Sequence, residues 1–97
     1  MDIETLYDGN VPVAKTVVGK ITCNSNNVSL QYSYVGTSLT LSIEMSVNGS
    51  VYEEITELTV VSTEDKAGII NIQDLTINTK LQVKAVGDGT IKLDSLY

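Results

Sequence analysis

Side chains able to do acid–base or nucleophilic chemistry are few in this chain. Its 97 residues carry twelve carboxylates, six lysines, five tyrosines and one cysteine, with no histidine, arginine or tryptophan. Without histidine, neither a Ser-His-Asp nor a Cys-His device can be assembled, and a zinc centre lacks its His/Cys cluster. Calcium needs several oxygen ligands at alternating positions. The stretch "VGDGTIKLD" supplies Asp88 and then nothing before Asp94, so Gly87-Asp88-Gly89 reads as a turn. Paired carboxylates for glycoside cleavage must face one another across a cleft. The densest acids, Glu53, Glu54 and Glu57, instead straddle one expected strand and read as a solvated edge. Glycines stand singly or paired in turns with no helix following, so no phosphate cradle is present. These residues point away from an enzyme, and no cofactor or metal is expected.

Charge narrows the partners. A net charge of −6 without arginine is the reverse of a phosphate-binding surface, which excludes nucleic acid. It disfavours an anionic membrane for the same reason. Cys23 has no partner for an intrachain disulfide. In phase with Ile21, it is expected to point inward as a small hydrophobe. The opening "MDIETLYDGN" is too acidic for a signal peptide, and no apolar run approaches a membrane span. The chain therefore reads as soluble and made in a cytoplasm. The two sequons, at Asn27 and Asn48, read as turn chemistry in that setting.

The elements that would position these residues are strands. In "SLTLSIEMSVNGS" (Ser38 to Ser50), a helical period would scatter Leu39, Leu41, Ile43, Met45 and Val47 over opposite sides, whereas a period of two lines them on one face. Similar alternation runs through Val28–Tyr34, Leu81–Ala85 and Ile91–Leu93. The β-branched stretches Thr16–Cys23, Ile55–Ser62 and Gly68–Asn78 add further strands, and no window supports a helix of three turns. The expected fold is all-β, an antiparallel β-sandwich, Ig-like or jelly-roll-like, of about seven to nine short strands. Asn48-Gly49 suggests a two-residue type I′ hairpin. That hairpin sets Met45 opposite Tyr52 and Glu44 opposite Glu53, and it needs a bulge near Glu53-Glu54 to return Ile55 to the core. A three-residue loop Gly87–Gly89 would close a last hairpin pairing Ala85 with Ile91 and Val83 with Leu93. Lys80, Lys84 and Lys92 would blunt exposed edges against strand pairing.

At this length one domain is expected, residues 12–97, preceded by an N-terminal segment or arm at residues 1–11. That segment carries Ile3, Leu6 and Tyr7, the candidate partner-binding residues. It is either an arm that packs on a neighbouring subunit or an edge strand of its own fold. Tyr32, Tyr34 and Tyr52 are in phase with buried residues, which counts against a sugar-stacking platform; Tyr7 and Tyr97 lie near the two ends.

The alternating strand that runs into "MSVNGSVYEEI", followed by the close "LQVKAVGDGTIKLDSLY", resembles small β-sandwich accessory proteins of tailed-bacteriophage virions, over roughly Leu39 to Leu96. Asn48-Gly49 occupies the polar-Gly hairpin of that pattern and Tyr52 the aromatic position, where tryptophan is common. Leu81, Val83, Gly87, Gly89, Ile91 and Leu93 make the closing hairpin. The resemblance implies a head-decoration or auxiliary capsid protein docking on the major capsid protein or on other virion proteins. A head–tail or tail component is the variant of that reading. Localisation would be the virion, assembled in the host cytoplasm. A small carbohydrate- or cell-surface-binding sandwich module is the alternative, and oligomeric state stays open.

Overall fold

The computed structural model describes residues 3–96; Met1 and Asp2 of the N-terminal segment, and Tyr97, lie outside the described residues. Among these residues nine strands form: β1 (Ile3–Asn10), β2 (Thr16–Thr22), β3 (Val28–Val35), β4 (Leu39–Ser46), β5 (Glu53–Glu54), β6 (Val60–Ser62), β7 (Lys66–Ile72), β8 (Lys80–Gly87) and β9 (Thr90–Leu96). Among the described residues the one helical element is a 3₁₀ turn, Thr56–Leu58, between β5 and β6.

The strands make two antiparallel sheets. One has the order β1-β9-β3-β7; the other runs β2-β8-β4, with β5 and β6 in line along the far side of β4. The chain changes sheet at every connection except those joining β4, β5 and β6. Of the two sandwich forms that alternation allows, this is the jelly roll, a double sheet whose strands interleave.

Inward residues of the two sheets meet in one core. Leu30, Tyr34, Ile91 and Leu93 from the first sheet face Leu39, Leu41, Ile43, Leu81 and Val83 from the second, all with almost no exposure. Removing this aliphatic and aromatic surface from water supplies the main drive for folding. Cys23 is buried at the edge of the core, as its phase predicts, and burial raises its thiol pKa.

Several expectations are corrected. Met45 faces Glu53 and Glu44 faces Glu54, so the connection after β4 is a wide loop and not a two-residue hairpin. The cause is local: Ser46 Oγ donates to Asn48 Oδ1 and accepts from Gly49 N–H, and Asn48 Oδ1 also accepts from Ser50 and Val51 N–H. Ile55 reaches the core without a bulge at Glu53-Glu54, carried there by this register and by a bond from its N–H to Ile43 O. The stretch Ile55–Ser62 is not a single strand. The 3₁₀ turn sets Ile55 and Leu58 on the same side, and both pack against the core.

The closing hairpin does not exist either. β8 pairs with β2 and β4, while β9 pairs with β1 and β3, so Gly87–Gly89 is a crossing between sheets. Ala85 and Val83 face Ile91 and Leu93 through the core instead of along a ladder. Gly87 (φ 146°) and Gly89 (φ 75°) both adopt positive φ, and a Cβ on either would overlap a backbone carbonyl oxygen, of Ser38 and Val35 respectively. Lys80, Lys84 and Lys92 lie on central strands rather than edges, since β8 and β9 each have neighbours on both sides.

Candidate interaction surfaces

The N-terminal segment is an edge strand over its described residues, paired with β9 from Ile3↔Leu96 to Asn10↔Thr90. Register slips between Thr5 and Tyr7, so Leu6 is an extra residue in the strand. That bulge turns two consecutive side chains, Leu6 and Tyr7, against the core. Leu6 lies over Gly19 of β2, which has its own register slip between Val17 and Gly19. The Tyr7 hydroxyl donates to Asn10 O. Ile3, ahead of the bulge, points outward and is 75% exposed. The three candidate partner-binding residues therefore divide: Leu6 and Tyr7 close one side of this molecule's own sandwich, and Ile3 is left on the surface.

Asp88 sits at the sheet crossing and ties it shut. One carboxylate oxygen accepts from Thr37 N–H (2.8 Å), Ser38 N–H (3.1 Å) and the Tyr34 hydroxyl (2.9 Å); the other accepts from Thr37 Oγ1 (2.6 Å). Bonds from the Thr37 hydroxyl and backbone, then from Tyr34, lower its pKa from 3.8 to about 2. Burial, and next its hydrogen bond to Asp88, raise the pKa of the Tyr34 phenol. Holding these four bonds, the carboxylate works as a brace between the β3–β4 and β8–β9 connections.

A second polar cluster was not legible in the chain order. Glu44 lies on the outer face of its sheet, yet it is 9% exposed and accepts from Gln82 Nε2. Lys84 Nζ is 3.3 Å from its other oxygen. Burial works against its charge, but the bonds from Gln82 and Lys84 and the nearby Lys15 outweigh it, so the pKa is lowered. Lys15 reaches Glu54 at 3.1 Å over the same face. Nothing in the alternation of β4 separates Glu44 from a solvated glutamate. Its partners come from a strand 38 residues away in sequence.

Of the described tyrosines, Tyr32 and Tyr34 are buried, and Tyr7 and Tyr52 are half-buried. No group of three or more His, Cys, Asp or Glu side chains able to hold a metal occurs among the described residues. No helix among them is long and apolar enough to cross a membrane.

Two concave surfaces stand out. A depression of about 290 Å³ lies on the outer face of the first sheet, lined by Ile3, Ser29, Gln31, Ile69, Asn71 and Asp94 among others. A larger groove, about 760 Å³, opens between the sheets on the side away from Leu6. Its apolar lining includes Met45, Val51, Ile55, Leu58, Ile72 and Leu75, and its acids are Glu53, Glu57 and Asp74. Met45 and Val47, expected in the core by alternation, emerge here at 38% and 89% exposure: Met45 lies on the open, β5 side of a ladder whose inner member, Leu81, is 1% exposed, and Val47 follows the end of β4.

The fold defines the chain as a small jelly-roll sandwich. Comparison with protein-family models and with curated proteins finds no match. Among solved structures the chain is similar to the subunit of Bacillus endospore appendages, a family of disulfide-linked pili. That likeness has TM-score 0.58 and 12% identity, covering 97% of this chain and 80% of the other. It is also similar to PirA, with TM-score 0.52 and 10% identity over 99% and 90% of the two chains. At such identities the likeness is one of fold.

Proposed function

We propose that this protein is a non-enzymatic structural subunit that docks on a larger protein assembly, and specifically an accessory protein of a tailed-phage virion. A capsid decoration or auxiliary protein seated on the major capsid protein is the primary form of the proposal. A head–tail connector or tail component is its variant. The observation that carries it is a division of labour. The groups best suited to chemistry, Asp88, Tyr34, Glu44 and Cys23, are held inside the fold's own contacts, while one side of the sandwich is open along a groove.

Jelly rolls recur in viral capsid and lectin domains, which supports the reading as an analogy of fold. The similar pilus subunit is also part of an assembly. Disulfide linkage between subunits has no support here, because Cys23 is fully buried. A sugar-binding module asks for exposed, coplanar tyrosine rings, and the tyrosines described above are turned into the core or half-covered.

Mass spectrometry of purified, salt-washed virions tests the proposal. Recovery at a copy number near that of the major capsid protein is the expected result for decoration. A few copies per particle would move the protein to the neck or tail. Absence from virions would overturn the virion reading and make a glycan-binding screen the next measurement.

A further inference from the structure

The two sides of the sandwich are finished differently. On one side β1 and β2 carry the two register slips, and Leu6 bridges them over Gly19. On the other side the sheets end in β7 and in the β5–β6 line, and neither has a strand partner on its outer edge. β7 is seven residues long, has no proline, and carries one charge, Lys66. Among the described residues, none makes a backbone hydrogen bond to β7 outside its ladder with β3. Such an edge is a template for strand addition, and native folds ordinarily bulge, charge or cover it.

We propose that this open side binds an extended segment of a partner protein, apolar on one face and bearing lysine or arginine. The segment adds to the free edge of β7 and lays alternate side chains in the groove. The inference rests on the reading of the protein as a docking subunit and names its docking surface.

Three observations fix the occupant. First, the groove abuts the end of β7 through Asn71 and Ile72, with Met45, Ile55, Leu58 and Leu75 below. Strand addition takes affinity from main-chain bonds and specificity from pockets for every second side chain. Second, the far wall is preformed. Leu75 N–H bonds to Asn26 O at 2.8 Å and Asn78 N–H to Cys23 O at 2.7 Å, so little ordering is needed on binding. Third, the charge is one-sided. The groove is lined by Glu53, Glu57 and Asp74 and by no lysine, and residues 53–74 hold six acids against Lys66. A second copy of this chain would bring either its acidic edge strand, Ile3–Asn10 with Asp8, against those acids, or its own β7, whose single charge, Lys66, answers one acid of three. The net charge of −6 opposes self-association as well. The complementary occupant is a basic foreign strand.

The test is a titration of ¹⁵N-labelled protein with a short synthetic peptide of alternating leucine or valine and lysine. A sibling peptide carries glutamate at each lysine. The expected result is amide shifts confined to β7 and the groove, with the lysine peptide bound at least about tenfold more tightly and released by salt. A Glu53→Lys, Glu57→Lys double variant, altered only at exposed positions, keeps its melting temperature and loses the preference. Three results would each overturn the proposal: no shifts on β7 or the groove, equal binding of the acidic sibling, or tighter binding of a peptide matching residues 3–10. Recovery from virions without peptide binding would sink the groove and spare the docking reading. Peptide binding without recovery from virions would spare the groove and sink the virion reading.

Discussion

Replacing Leu6 with alanine removes the isopropyl group that bridges β1 and β2, and it decides whether β1 belongs to the fold or merely lies beside it. A fully buried leucine loses about 2–5 kcal/mol on this change. Leu6 is half-buried, packed against the core and over Gly19, so the expected loss is roughly 1–2 kcal/mol. That is a sizeable share of the ~5–15 kcal/mol that holds a domain together. At ~4–8 °C per kcal/mol for a domain of this size, the melting temperature should fall by roughly 5–15 °C. Ile3→Ala is the control: its side chain is 75% exposed, and the change should stay within about 0.5 kcal/mol. Thermal melts by circular dichroism, with urea unfolding followed by tyrosine fluorescence, read both variants. If Leu6→Ala melts with the parent protein, β1 is not docked on the core and the edge-strand account is refuted. If Ile3→Ala melts normally but fails to assemble on particles, Ile3 alone keeps the partner role given to all three residues.

Gly87→Ala should be among the most damaging single changes, costing more than about 2 kcal/mol in urea unfolding, because positive φ and the Ser38 carbonyl both exclude a Cβ. Asp88 is held near pKa 2 against 3.8 unfolded, so the stability it adds is complete above about pH 4 and fades as pH falls toward 2. Asp88→Asn should therefore melt lower than the parent at pH 7, and the gap should narrow through that window; a constant gap would contradict the brace. Cys23 should react with a thiol reagent only as fast as the protein opens, so labelling in native buffer should be slow and should rise sharply near the urea midpoint. Rapid native labelling would show that the core around Cys23 is not closed.

Alternation made the strands and their buried faces legible, because a period of two is a local property of residues such as Leu39, Leu41 and Ile43. Pairing was not legible. Ala85 and Ile91 satisfy an apolar face equally well side by side in a hairpin or opposite one another across a core, and the jelly roll takes the second arrangement. Sequence neighbours pair only around β4, so most ladders join residues far apart in the chain. The Asn48-Gly49 turn was readable as chemistry, and Gly49 does take positive φ (79°). The width of its loop was not, since it depends on the Ser46 hydroxyl competing for Asn48 and Gly49. Of the candidate site, Leu6 and Tyr7 were found by their apolar character in an acidic stretch, but the bulge that turns both inward left no mark in the pattern. The groove depends on the gap left between the β5 side of one sheet and the end of β7 in the other, a relation between strands that meet only in three dimensions.

The pairing of Ile3 with Leu96 has a mechanical consequence. The chain enters and leaves the sandwich at neighbouring points of one antiparallel ladder, whose bonds run across the strands. Tension applied through these two positions would load those bonds one pair at a time, from Leu96 toward Thr90, and peel β1 away like a zipper at low force. A protein wired this way is poorly suited to carry tension along its own backbone. Stress that enters through its flanks is instead shared by both sheets.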